Sequence, residues 1–153
     1  MLSNLHLHSR FSDGMSWPED IALEAARAGL DIVALTDHDT MGGTERFIQA
    51  CEARSLKAIQ ACEIDICEPQ IEYKSELLAY FPKADLDSSI LYTKRLLQKS
   101  LEQRRRRLEF FIESAQELYP DKELSFQDLF RDKTGLDFDE ELARKISWSK
   151  VDL

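Results

Sequence analysis

The apolar residues in the first half of the chain switch repeatedly between two periods, and the order of switching predicts the architecture. Asn4-Leu5-His6-Leu7 reads as a short extended segment whose alternate side chains share a face. Ile21, Ala22, Ala25, Ala26 and Leu30 follow at helical spacing. Ile32-Val33-Ala34-Leu35-Thr36 is then a continuous run of the kind found in a parallel strand buried on both faces. A second helix is expected from about Gly43 to Ala53, after which Lys57-Ala58-Ile59-Gln60-Ala61-Cys62 returns as a third strand. A fourth is expected over Ser75-Glu76-Leu77-Leu78-Ala79-Tyr80-Phe81. Strand, helix, strand, helix, strand implies two right-handed parallel crossovers, which bring three strand ends to one side of a barrel or open α/β sheet.

Local signals mark the ends of these elements. Ser16 is placed to cap the first helix, with Glu19 closing a capping box and Pro18 in the first turn. Gly29 supplies its stop. In the second half, Asp87-Ser88-Ser89 offers caps for a long helix from about Ile90 to Leu118, ended by Pro120. Leu91, Leu97, Leu101, Leu108, Phe111, Ile112 and Ala115 recur on one side of it. Short helices are expected near Phe126 to Arg131, after Ser125, and near Asp139 to Ile146. The organisation expected is therefore a barrel part over residues 1–84 and a helical insertion or cap over 85–153, divided near Pro82-Lys83-Ala84-Asp85.

The chemistry gathers at the strand ends. All three histidines fall there: His6 and His8 on the first strand, and His38 within Thr36-Asp37-His38-Asp39 after the second. His6 and His8 are one residue apart, so their rings can converge on one ion or on two adjacent ions. Asp13 lies in a Ser-Asp-Gly turn whose Gly14 can take positive φ and swing the carboxylate back toward the strand. Glu63 closes the third apolar run. Imidazoles with carboxylates and no adjacent thiol suit zinc, manganese or iron. Asp37 reads as a partner orienting an imidazole or as a helix-start acceptor, and Asp39 need not contact an ion. Arg10 could contact a phosphate.

Together, Leu5-His6-Leu7-His8-Ser9, Ser12-Asp13-Gly14, Leu35-Thr36-Asp37-His38-Asp39-Thr40 and Glu63-Ile64 resemble the start of a PHP domain. These domains form the polymerase and histidinol phosphatase superfamily of metal-dependent phosphoesterases. The resemblance runs from Asn4 to about Phe81. It implies the first part of a distorted (β/α)7 barrel, here about four mostly parallel strands, with two or three divalent ions (Mn, Zn, Fe or Mg) at the carboxyl face. His6, His8, Asp13, His38 and Glu63 match metal ligands, Glu63 bridging two ions. Catalysis would run through a metal-activated water held by His38, Asp13 and Glu63. Where the small phosphoesterases usually carry a histidine, Glu76 stands here as a substitute carboxylate ligand. The family's later histidines and its closing aspartate-plus-histidine motif have no counterpart. A helical insertion at this place in the small family members caps the active site and shapes substrate choice.

Length and charge adjust this picture. Barrels of this general type need about 200 residues or more, whereas the chain has 153. Four strands leave an open sheet with an edge and inner face exposed, which implies a truncated or fragmentary protein, or completion by a homo-oligomer or a complementing fragment. A net charge of −9 and pI near 4.9 argue against general nucleic-acid coating. Within Arg104-Arg105-Arg106-Arg107, pairing with Glu102, Glu109 and Glu113 on a solvated helix face competes with contact to phosphates. The chain shows no membrane span or signal peptide and carries three unpatterned cysteines, Cys51, Cys62 and Cys67, so a cytoplasmic location is expected. Three functions follow. The first is a metal-dependent phosphoesterase for a phosphorylated small metabolite, nucleotide or short oligonucleotide. The others are a metal-binding remnant or regulatory module without turnover, and an amidohydrolase-type hydrolase, since those barrels also begin with His-x-His.

Overall fold

The computed structural model describes residues 1–81 and 87–152. The expected boundary at Pro82-Lys83-Ala84-Asp85 lies outside them. The barrel part comprises β1 (Ser3–Leu7), α1 (Pro18–Arg27), β2 (Ile32–Leu35), α2 (Thr44–Glu52), β3 (Lys57–Glu68) and β4 (Tyr73–Phe81). The helical part comprises α3 (Asp87–Leu118), α4 (Phe126–Thr134) and α5 (Glu140–Ala143), followed by a 3-10 turn at Lys150–Asp152.

The sheet has the order β1-β2-β3-β4. β1 with β2 and β2 with β3 pair in parallel, as the two crossovers require, while β4 runs antiparallel to β3 through a 3-10 turn at Pro69–Ile71. This is the mostly parallel α/β half-barrel expected. Its curl is visible in one bond: the Tyr80 hydroxyl, on the last strand, donates to the Leu5 carbonyl, on the first, at 2.8 Å. Val33 and Leu35 turn outward with Leu7 and bury against α1 and α2 around Phe47. His6, Glu63 and Asp65 take the opposite, concave face.

Several local expectations are corrected. Trp17, not Ser16, is the N-cap of α1, and it makes no side-chain cap bond. Glu19 instead receives two hydrogen bonds from Arg46, at 2.7 and 3.0 Å, with the guanidinium stacked 4.7 Å from the Trp17 ring. A charge-assisted, bidentate pair outcompetes a capping box. Gly29 does stop α1: at φ +70 it donates to the Ala26 carbonyl, and Leu30 donates to that of Ala25. β3 does not end at Glu63 but continues to Glu68, because hairpin pairing with β4 satisfies its backbone beyond the point where β2 stops. α3 begins at Asp87, three residues early, and α5 covers only Glu140–Ala143, capped by Asp139.

The helical part has its own core, in which Phe126, Phe130 and Trp148 pack with Leu108 and Ile146. Phe11, from the loop after β1, is buried in that same cluster. No helix among the described residues is long and apolar enough to cross a membrane.

Candidate metal centre

Each ligand candidate reaches the concave face by a different local device. β1 carries His6 at its centre and releases His8 just past its end. The chain then folds back on itself, with the backbone N–H groups of Ser12 and Gly14 both donating to the Ser9 carbonyl. Gly14 is required for close approach and not for positive φ, as the sequence suggested: a Cβ there would lie 2.2 Å from the His8 carbonyl oxygen. Asp37, 2% exposed, locks this turn by accepting from Ser9 N, Ser9 Oγ and Ser12 Oγ at 2.6, 2.7 and 2.6 Å. Burial pushes the Asp37 carboxyl above the usual carboxylate range, against the pull of those hydrogen bonds. It thus acts on the turn, one step removed from an imidazole, since Ser12 Oγ lies 3.5 Å from His8 Nδ1.

The donors form a continuous chain. Glu63 Oε2 lies 3.0 Å from His6 Nε2 and 3.1 Å from His8 Nε2. His8 Nδ1 is 3.1 Å from Asp13 Oδ1, whose other oxygen is 3.7 Å from His38 Nε2. His38 Nδ1 stands 3.8 Å from Glu63 Oε2 and 3.2 Å from Asp65 Oδ1. The register pairs Asp65 with Glu76 across β3 and β4. Three overlapping sets result, His6-His8-Glu63, His8-Asp13-His38 and His38-Asp65-Glu76, each with ligand atoms within 4.8 Å of one another.

These donors fit divalent ions. Ligand atoms about 2.1 Å from a shared ion sit roughly 3.0–3.4 Å apart in octahedral or tetrahedral shells, close to the separations observed. Glu63 supplies the strongest sign: its carboxylate is only 3% exposed, and the groups around it are imidazoles, not fixed cations. A buried carboxylate needs a compensating charge.

Every expected ligand, including Glu76, is therefore brought together. Arg10 is not: its guanidinium donates to the Lys133 carbonyl and lies 5.9 Å from the Trp17 ring, committed to the helical packing. Two residues escaped the sequence reading. Asp65 could have been found by period-two alternation from Glu63. Arg104, for which a solvated helix face and a phosphate contact both stood open, donates from Nε to Asp39 Oδ2 at 2.9 Å and from Nη2 to Asp65. Asp39, at φ 51, also accepts from Asp65 N and Ser100 Oγ. The arginine run divides: Arg105 pairs with Glu109, as expected, and with Glu140 from α5. The next two arginines are exposed.

Known structures share this fold. A crystal structure of a protein assigned as a metal-dependent phosphoesterase from Bifidobacterium adolescentis superposes with a TM-score of 0.72 at 22% identity, covering 95% of this chain and 46% of that one. An amidohydrolase from Chromobacterium violaceum, with bound sulfate and no metal, gives a TM-score of 0.67 at 22% identity, covering 86% of this chain and 43% of that one. In sequence, the error-prone DNA polymerase of Nocardia farcinica is 41% identical over 66 residues, which are 42% of this chain and 6% of the polymerase. The DNA polymerase III subunit alpha of Treponema pallidum is 40% identical over 63 residues, or 40% of this chain and 5% of that one. The PHP domain family model matches residues 4–147, and the chain belongs to that family.

Proposed function

We propose that the concave cluster holds divalent ions, manganese, zinc, iron or magnesium, and serves hydrolysis of a phosphoester of a small metabolite, nucleotide or short oligonucleotide. The observation that carries this reading is the buried Glu63 carboxylate set between His6 and His8 at 3.0 and 3.1 Å, with Asp13 and His38 continuing the donor chain. When bound, the ions supply Lewis acidity for activating water and positive charge for phosphoryl oxygens. The chain's own residues do the rest. His6, His8 and His38 contribute neutral donors, Glu63 and Asp13 fix the spacing between neighbouring sites, and Asp37 holds the Ser9–Ser12 turn so that Asp13 faces His8. Asp65 and Glu76 extend the site on the outer side of His38.

The fold supports two further statements. β1 and β4 are the edges of the sheet, and a second copy or a complementing segment that pairs there would close the concave face. Cys51, Cys62 and Cys67 are unpaired thiols, which suits a reducing cytoplasm.

Metal analysis of purified protein, with hydrolysis of an aryl phosphate and of a diaryl phosphodiester in added manganese, tests the reading. The wild type is expected to hold at least one ion and to turn over one substrate class. Glu63→Ala is expected to weaken metal affinity by more than tenfold, and His38→Ala to abolish turnover. Ions bound without turnover would make this a binding module. Full metal content in the His6→Ala, His8→Ala double variant would overturn the site.

A further inference from the structure

Beside the cluster lies a cleft of about 240 Å³, with Asp13, His38 and Asp65 on its barrel side and Arg104, Ser147 and Lys150 on its helical side. The helical side touches the ion cluster through one pair, Arg104 with Asp65. Ser147 is 2% exposed, and its Oγ has no hydrogen-bond partner. Its backbone is nonetheless fixed, with its N–H donating to the Phe11 carbonyl at 2.7 Å. A buried hydroxyl without a partner is rare in folded proteins and points to a ligand that completes it. Arg104 is held in place by Asp39 through Nε and by Asp65 through Nη2, while its Nη1 reaches the Trp148 carbonyl only at 3.5 Å. That leaves Nη1 as the end of its planar fork available to an anion. Lys150 adds a second positive charge on the same side.

We propose that Arg104, the Ser147 hydroxyl and Lys150 form an oxyanion-recognising wall opposite the ion cluster, so that the site selects terminal phosphomonoesters over phosphodiesters. This inference rests on the phosphoesterase reading and sharpens it. A monoester dianion has three terminal oxygens and can offer them to ions on one side and to the wall on the other. A diester has two terminal oxygens and one charge. When those oxygens face the ions, its second ester group is pressed against two cations and an unpaired hydroxyl, which are left unmatched.

Calorimetric titration of the manganese-loaded full chain with methylphosphonate and with dimethylphosphinate separates these cases without turnover, because the first has three terminal oxygens like a monoester, the second two like a diester, and neither has an ester bond to cleave. The wild type is expected to bind methylphosphonate at least tenfold more tightly. Ser147→Ala and Lys150→Gln should each weaken methylphosphonate by about threefold to tenfold, and Arg104→Lys by about tenfold, with dimethylphosphinate changed less than twofold. Ser147→Ala should melt no lower than the wild type, because it removes a polar atom that has no partner in the free protein. Equal affinity for the two anions, or unchanged methylphosphonate affinity in both Ser147→Ala and Lys150→Gln, would overturn the wall. Metal content measured on the same samples tells the failures apart. A wild type that holds no ion defeats the phosphoesterase reading and this inference with it, whereas intact metal with unselective binding defeats the wall alone.

Discussion

The barrel part and the helical part reach the site in opposite ways. The barrel part brings candidate ligands from three strand ends that the chain visits in order, so each is positioned by local geometry: a strand face, a tight turn, a strand crossover. The helical part contributes through contacts far apart in sequence. Arg104 meets Asp39 and Asp65, Ser147 N–H donates to the Phe11 carbonyl, and Thr40 Oγ1 donates to the Lys145 carbonyl at 2.7 Å. Phe11 itself is buried with Phe130 and Trp148. The loop that carries Asp13 is thus anchored in the helical core, and a small further cluster of Met41, Cys62 and Leu97 packs the sheet against α3.

Two large-to-small substitutions break that comparison most forcefully. Trp148→Ala in the helical core and Phe47→Ala in the barrel core each remove a ring about 1% exposed and should each cost about 3–5 kcal/mol. Their effects on the site should differ. Trp148 packs in the cluster that holds Phe11, and its indole N–H donates to the Ala143 carbonyl at 2.9 Å. Its loss should therefore loosen the Asp13 turn and lower metal affinity. Phe47 packs on the helix-facing side of β2, and its loss should lower the melting temperature with little change in metal affinity measured well below the melt. Equal losses of affinity would mean that the two cores act as one.

A smaller effect isolates the turn itself. Gly14→Ala places a methyl carbon against the His8 carbonyl, and backbone cannot yield as a flexible side chain can. We expect a loss of about 3 kcal/mol, at the upper end of ordinary point substitutions, accompanied by weaker metal binding because His8 and Asp13 flank the clash. A melt within about 0.5 kcal/mol of the wild type would show that the turn is not fixed as described.

The same contrast decides what was legible in the sequence. His6, His8, Asp13, His38 and Glu63 were readable because strand periodicity and chain order alone bring them together, and three of the four strands follow from uninterrupted or alternating apolar runs. Asp65 is equally accessible in principle, but the apolar run ends before Glu63, and nothing local announces that hairpin pairing with β4 prolongs the strand. For Arg104 the pattern leaves a solvated face and a phosphate contact both open. Glu109 four residues from Arg105 satisfies the rule for a solvated helix pair, and that rule holds for Arg105; only the docking of α3 against the loop after β2 separates Arg104 from its neighbour. The Ser16–Glu19 capping box failed for the same kind of reason, because its carboxylate found Arg46, distant in sequence. Ser147 carries no motif at all, and its meaning lies wholly in being buried without a partner.

The smallest effect tests whether the barrel part can be loosened alone, through its thiols. Cys51 is fully buried between the barrel helices and the sheet, and Cys62 between the sheet and Leu97 of α3; burial raises their thiols from an ordinary value near 9 to about 11 and about 12. The cysteine-free helical core has no such handle. An acid whose folded pKa is raised is favoured in its protonated form by folding, so between pH 9 and 11 the native state holds more protons than the unfolded chain. Stability should then fall as pH rises through that window, by up to about 1.4 kcal/mol per pH unit for each thiol. Denaturant melts at pH 8 and pH 10 measure the slope, and a Cys51→Ala, Cys62→Ala variant should flatten it. At pH 8 a thiol reagent should modify only the exposed Cys67 in the native protein, and all three cysteines once the chain is unfolded. Rapid reaction of Cys62 under native conditions would mean that the sheet opens on its helix-covered side, where Leu97 of α3 packs on it.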